Sequence, residues 1–295
     1  MPSQFDSLSL CSELLEVVEE LGYEVPTPVQ RASIPVLLEG RDLIAQSKTG
    51  SGKTVAFALP ILERLDLKRR SMQALVVCPT RELSAQVARE FRRLGRKQPG
   101  LQVLPVSGGE PGRAQRAALE RGVHVVVGTP GRLLDHLKRG SLGTGDLATV
   151  VLDEADRMLD MGFQADVEEI LAALPKARQT ALFSATFPRT IEAMSRAHQQ
   201  NAVPVTIEEP EQPRSAIRQL VLSVEPDEKL RGLYRLLNDF PHETALIFCN
   251  FKASVAELTQ ALAAAGGSVA CLHGDLEQFE RDQVLARFRN QSIRI

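Results

Sequence analysis

This 295-residue chain has no Cys-x-x-Cys pair, no apolar run long enough to span a bilayer, no excess of positive charge and no low-complexity tract. Each absence excludes something. The four cysteines, Cys11, Cys78, Cys249 and Cys271, lie far apart, and three of them end apolar runs. They read as buried thiols in a reducing compartment, with neither a metal cluster nor a disulfide partner. Without a long apolar stretch or a basic leader, the sequence implies no membrane and a cytoplasmic location. A net charge of −2 excludes a broadly basic surface, so any grip on a polyanion must come from individually placed groups. A local cluster at Arg89, Arg92, Arg93, Arg96 and Lys97 reads as the solvated face of a helix.

What is present is the composition of a globular chain, with 43% apolar and 24% charged residues. The length allows two domains, or one and a large part of another. Ala45-Gln46-Ser47-Lys48-Thr49-Gly50-Ser51-Gly52-Lys53-Thr54 follows a short apolar run and leads into an apolar helical segment. Glycines there let backbone N–H groups curl around an anion at a helix N-terminus. Lys53 would reach the β- and γ-phosphates and the Thr54 hydroxyl would take a Mg²⁺ position. The generic phosphate-loop pattern asks for glycine where this chain has Ser47.

The remainder reads as strand then helix, repeatedly. Candidate strands are 74–78, 102–106, 123–127, 149–152 and 180–183, mostly β-branched runs without alternation, as parallel strands buried on both faces require. Helices are expected over 10–21, from Thr27 or Pro28, over 82–94 and over 113–120. This is an α/β fold with a doubly wound parallel sheet, whose ligands gather at the carboxyl ends of the strands. The acidic, proline-rich stretch 208–216 reads as a linker or a surface loop. After it the rhythm resumes, with strands expected at 219–224, 244–249 and 268–272, helices at 229–237, 253–265 and 279–288, and a further strand opening at 292–295.

Asp153-Glu154-Ala155-Asp156 follows the apolar run Val150-Val151-Leu152. Two acids there suit either a helix N-cap or a Mg²⁺ site in which Asp153 holds the ion and Glu154 works on water. The prolines of 22–30 hold an extended turn, and the Gln30 amide can match an adenine edge.

Together, this tetrad, the 45–54 loop, the 22–30 turn, Pro79-Thr80-Arg81-Glu82-Leu83, Gly108-Gly109, Thr129-Pro130-Gly131-Arg132 and Ser184-Ala185-Thr186 resemble the DEAD-box RNA helicases in order and spacing. Phe5 sits where that family places an isolated aromatic, and 272–278 is similar to its bacterial ribosome-assembly members. The resemblance implies a RecA-like P-loop domain over 1–207, a linker over 208–216 and part of a second RecA-like domain over 217–295. It implies ATP and Mg²⁺ as cofactors. Gln30 and Thr27 would read adenine, with Tyr23 as the stacking face. Residues 47–54 (Ser47, Lys48, Thr49, Gly50, Ser51, Gly52, Lys53, Thr54) would hold phosphate, Thr54 and Asp153 the metal, and Lys53, Asp153 and Glu154 would carry the chemistry. Asp156, Ser184 and Thr186 would couple hydrolysis to strand separation. Pro79, Thr80, Arg81, Gly109, Thr129 and Arg132, with Asn250 and Gly274 later, would grip the backbone of an RNA, possibly ribosomal, by a monomer. The likeness stops before the family's last two motifs, from which weak or no turnover by these residues is expected. A P-loop DNA helicase and a non-catalytic ATP- and RNA-binding module are the competing readings.

Overall fold

The structure, a computed structural model, describes residues 4–109, 111–207, 218–240 and 243–295. The chain divides into two units, Met1–Pro210 and Glu211–Ile295. The expected linker, 208–216, lies outside the described residues.

In the first unit the strands are β1 (Leu43–Gln46), β2 (Ala74–Val77), β3 (Val103–Val106), β4 (Val125–Gly128), β5 (Thr149–Leu152), β6 (Gln179–Ser184) and β7 (Val203–Thr206). All pairings are parallel, in the order β3-β4-β2-β5-β6-β1-β7. The helices are α1 (Ser12–Glu20), α2 (Pro28–Leu38), α3 (Lys53–Arg64), α4 (Arg81–Leu94), α5 (Gly112–Glu120), α6 (Pro130–Lys138), α7 (Ala155–Asp160), α8 (Gln164–Ala173) and α9 (Arg189–His198). β2, β4, β5 and β6 are buried at every position. Their alternate residues serve opposite layers because successive strand side chains point to opposite faces. Val76, Val127, Val151 and Phe183 pack under α1–α4, whereas Leu75, Val126, Val150 and Leu182 pack under α6–α9. Phe57 on α3 joins Phe183 (5.4 Å between ring centres) to Phe91 on α4 (6.1 Å), so the helix leaving the glycine-rich loop is anchored to both sheet and neighbour.

The sequence reading missed β7. Its residues Val203-Pro204-Val205-Thr206 are only partly buried and include a proline, which an edge strand tolerates because its outer N–H groups need no partner. The other edge, β3, also carries one, Pro105. The basic cluster on and just after α4 is solvent-exposed as expected at Arg89, Arg92, Arg93 and Arg96, and it also makes contacts that the sequence did not disclose. Arg96 and Lys97 pair with Glu16 and Glu20 of α1, and Arg92 donates to the Val103 carbonyl at 2.6 Å. These contacts fasten α1 and β3 to α4.

Thr27 starts α2 through a reciprocal capping box. Its hydroxyl accepts from the Gln30 N–H at 3.5 Å, and Gln30 Oε1 accepts from the Thr27 N–H at 2.9 Å. Thr27→Ala should cost about 1 kcal/mol, read as a lowered denaturant midpoint with unchanged slope.

The second unit holds α10 (Lys229–Asp239), α11 (Lys252–Ala264) and α12 (Gln278–Arg289), close to the expected helices. The strands expected at 219–224, 244–249, 268–272 and 292–295 are not formed among the described residues. Residues 293–295 bond once to the first apolar run and three times to the second. Ala245 N–H donates to the Arg294 carbonyl (2.8 Å), Ala270 N–H to that of Ile295 (3.0 Å), and Arg294 and Ile295 both donate to Ser268 (3.0 Å). A ladder needs such bonds repeated along both partners.

Candidate functional site

The strand order gathers the singled-out motifs at the carboxyl end of the sheet in two groups. One group follows β1, β5 and β6, which are adjacent, and the other follows β2, β3 and β4, also adjacent. The seam between them is the β2–β5 pair.

In the first group the 47–52 loop is closed by its own polar groups. Lys53, buried at the start of α3, donates Nζ–H to the Ser47 carbonyl at 3.0 Å. The Ser51 hydroxyl donates to Ser47 Oγ at 3.2 Å, and the Ser47 N–H donates to the Ser184 carbonyl of β6 at 3.0 Å. Serine in place of the generic glycine therefore braces the loop, a role no spacing rule discloses. Gly52 has φ +92°, and a Cβ there would lie 2.5 Å from Gln30 Nε2. Only glycine permits both that backbone and that approach. Gln30, 2% exposed, donates Nε2–H to the Gly52 carbonyl at 3.1 Å, so the α2 turn and the loop are one assembly. Lys48, Gly50 and Thr49 lie exposed along the loop, and Thr54 is half-buried in the first turn of α3.

Asp153 emerges from β5 at 2% exposure, and its Oδ1 has no hydrogen-bond partner. Burial pushes its carboxyl up to about 6, with Lys53 pulling the other way and Glu154 adding to the rise. Such an orphaned, buried carboxylate oxygen is what a divalent cation with oxygen ligands would satisfy, so these residues fit Mg²⁺. Glu154 takes the left-handed backbone (φ 52°) at the start of α7, a conformation costing about 1–3 kcal/mol in a non-glycine residue. Its carboxylate accepts from Thr49 Oγ1 (3.3 Å) and Arg157 (2.8 Å). Glu154 is thus an N-cap by position but makes no capping hydrogen bond.

Asp156 joins the same cluster. Its Oδ2 accepts from the Thr186 N–H and hydroxyl, each at 2.8 Å, while its N–H donates to Ser184 Oγ at 3.3 Å. Burial raises this carboxyl, but the bonds from Thr186, Ser184 and the Arg157 N–H outweigh it and leave the group below its ordinary value.

In the second group, Pro79 and Thr80 lead from β2 into α4, where Thr80 caps through Leu83 N–H at 3.2 Å. Gly108 lies against the Arg81 guanidinium, where a Cβ would sit 2.8 Å from it, and Gly112 stands in the same relation to Arg132 at 2.9 Å. Gly109 has φ +83° between them, and the Thr129 N–H donates to the Val106 carbonyl at 3.1 Å. Two residues that the sequence reading did not single out, Gln115 and His136, are buried beside Arg132. Neither belongs to a motif with a local signature.

Tyr23 goes elsewhere. Its hydroxyl donates to Glu90 at 3.1 Å, the Arg93 guanidinium stands 5.9 Å from its ring centre, and Phe5 packs at 6.4 Å. Asn250 and Gly274 belong to the second unit, both exposed. Lys252, two residues after Asn250, pairs closely with Asp275, and Arg281 donates to the Gly274 carbonyl at 2.8 Å. Among the described residues no helix is long and apolar enough to cross a membrane, and the four cysteines are free.

Known proteins share this arrangement. The DEAD/DEAH box helicase family matches residues 27–194, and the helicase conserved C-terminal domain matches 228–295. The ATP-dependent RNA helicase DbpA of Escherichia coli is 45% identical over 94% of this chain, which spans 61% of DbpA. The DEAD-box ATP-dependent RNA helicase CshA of Geobacillus kaustophilus is 42% identical over 99% of the chain, which spans 62% of it. Among solved structures, S. cerevisiae Dbp5 bound to RNA and ADP BeF3 matches with TM-score 0.87 and 31% identity, over 100% of this chain and 75% of that one. A DEAD box protein from Methanococcus jannaschii matches with TM-score 0.67 and 36% identity, over 99% and 78%. A RecA-like α/β sheet carrying these motifs, matched by that family profile over more than half the chain, identifies the chain as a member of the DEAD/DEAH box helicase family.

Proposed function

We propose that these residues are the ATP- and RNA-engaging part of an ATP-dependent RNA helicase that opens short duplexes, in ribosome assembly and in the cytoplasm, as a monomer. Residues 1–207 form the ATP-binding domain, 208–216 the linker and 217–295 the amino-terminal half of the second domain. The observation that carries this reading is Asp153, buried with an unpartnered oxygen and perturbed by Lys53 on one side and Glu154 on the other.

Lys53 exchanges the Ser47 carbonyl for the β- and γ-phosphates, and the loop N–H groups cradle the anion as it opens. Thr54 and Asp153 would hold Mg²⁺, which when bound neutralises phosphate charge. Glu154 exchanges Thr49 for the attacking water and orients it or takes its proton. Gln30 and Thr27 read adenine, with Tyr23 at the edge of that turn. Asp156, Ser184 and Thr186 form one hydrogen-bonded unit that also reaches the phosphate loop through Ser184, a direct mechanical route from nucleotide to nucleic acid. Pro79, Thr80, Arg81, Gly109, Thr129 and Arg132, with Asn250 and Gly274, hold sugar and phosphate. Such contacts carry little sequence information. The similarity to S. cerevisiae Dbp5 bound to RNA and ADP BeF3 supports this reading.

Calorimetric titration tests it. ATP·Mg²⁺ should bind at least about tenfold more tightly than GTP·Mg²⁺, a difference of about 1.4 kcal/mol, and Gln30→Ala should erase the preference. Equal uptake of both nucleotides by the unaltered chain would reject the adenine assignment, and no uptake of either would reject the whole reading.

A further inference from the structure

Arg132 is held by a buried amide. Gln115, on α5 and 2% exposed, accepts Arg132 Nε–H at Oε1 (2.8 Å) and donates Nε2–H to the Ser107 carbonyl (3.0 Å). The same Oε1 faces His136 Nε2 at 3.1 Å, and His136 Nδ1 lies 2.8 Å from Ser141 Oγ. An oxygen that accepts from arginine requires a proton on His136 Nε2, so Nδ1 is left to accept from Ser141 in the neutral ring. Burial, with Arg132 alongside, favours that neutral ring by holding His136 below its ordinary value. One side chain thus joins the loop after β3 to the guanidinium on α6, and its partners fix which end of its amide faces which.

We propose that Gln115 is a positioning residue for nucleic-acid binding, setting the Arg132 guanidinium and the 107–109 loop in register to receive consecutive phosphates of single-stranded RNA, with His136 bracing the amide from behind. This rests on the reading of Arg132 as a backbone contact. Arginine is suited to such a task because its planar fork binds phosphate directionally, and a swivelling guanidinium forfeits that advantage.

The test measures binding of a fluorescein-labelled oligouridine to the 295-residue chain by anisotropy over a salt series, with a non-hydrolysable ATP analogue and Mg²⁺ present. Melting curves check folding. Each lost phosphate contact should lower the slope of log Kd against log salt by about 0.7. Arg132→Ala should do so and weaken binding about tenfold. Gln115→Met should weaken binding about fivefold with the same loss of slope, and R132A with Q115M should be no worse than R132A alone. Gln115→Glu keeps an acceptor for Arg132 but loses the donor to Ser107, so it should weaken binding and lose part of the slope. Should Q115M not fold, Q115E decides: parental binding and slope there overturn the proposal. An additive double variant, or a silent Q115M beside a defective R132A, overturns the positioning role alone. A silent R132A overturns the backbone-contact reading and the proposal with it.

Discussion

Lys53→Ala should lower ATP·Mg²⁺ affinity by at least about 100-fold, or about 2.8 kcal/mol, while the first unit stays folded. The Lys53 ammonium is buried and committed to a single carbonyl, that of Ser47, which a triphosphate can replace with several charged oxygens. Two unit charges about 4 Å apart near a protein surface interact by roughly 4 kcal/mol, so losing this one outweighs any relaxation of the loop. The structural cost is smaller. Ser47 O loses a donor, worth about 1–3 kcal/mol if nothing replaces it, but Ser47 stays pinned through its N–H to Ser184 and its hydroxyl to Ser51. Isothermal titration beside a thermal melt separates the two effects. Binding within threefold of the parent would mean that Lys53 is a core cation with no ligand to meet.

Asp153→Asn should make the nucleotide-free chain more stable at neutral pH and remove its Mg²⁺-dependent nucleotide binding. The carboxyl titrates at about 6 in the fold, against an ordinary value of 3.8. Below about pH 4 the group is neutral folded or unfolded and contributes nothing. Between there and about pH 6 the fold keeps a proton that the unfolded chain has released, so stability falls as pH rises. Above about pH 6 the burden is complete, on the order of 3 kcal/mol for a shift of this size. Asparagine carries no such charge. Its advantage over the parent should therefore be absent near pH 4 and full at pH 7.5, where it should raise Tm by several degrees. Parallel pH profiles for the two proteins would show that the charge of Asp153 is not what burdens the fold.

How much of this could be read from residues alone depended on whether the signal was local. The 45–54 loop, the 153–156 tetrad and the buried strands β2, β4 and β5 announce themselves within a few residues, since glycine spacing and unbroken β-branched runs are local constraints. β7 did not, because an edge strand of four residues, two of them exposed and one a proline, has no full apolar run. The second unit erred in the other direction. Residues 244–249 and 268–272 have strand composition, but a strand is a pairing, and their neighbour 293–295 supplies too few bonds to make one. Gln115 was invisible because its importance lies in meeting Arg132 from a separate helix, and His136, on the same helix as Arg132, because it matters through its contact with Gln115. The basic cluster was legible as an exposed helix face, but the pairing of Arg96 and Lys97 was not, since the carboxylates they meet are on α1. Ser47 shows the limit of pattern matching even inside a motif: its departure from glycine is legible, but its bonds to Ser51, Lys53 and Ser184 are not.

The Gln30 side chain has a consequence for how a base would be met. Its amide oxygen has spent one lone pair on the Thr27 N–H, and its nitrogen has spent one hydrogen on the Gly52 carbonyl. An amide offers two of each, so one acceptor and one donor remain, the complement needed for the N6 and N7 edge of a purine. Because folding has already frozen this rotamer, an incoming nucleobase surrenders none of the roughly 1.5–2 kcal/mol of side-chain entropy that a dangling glutamine would demand on contact.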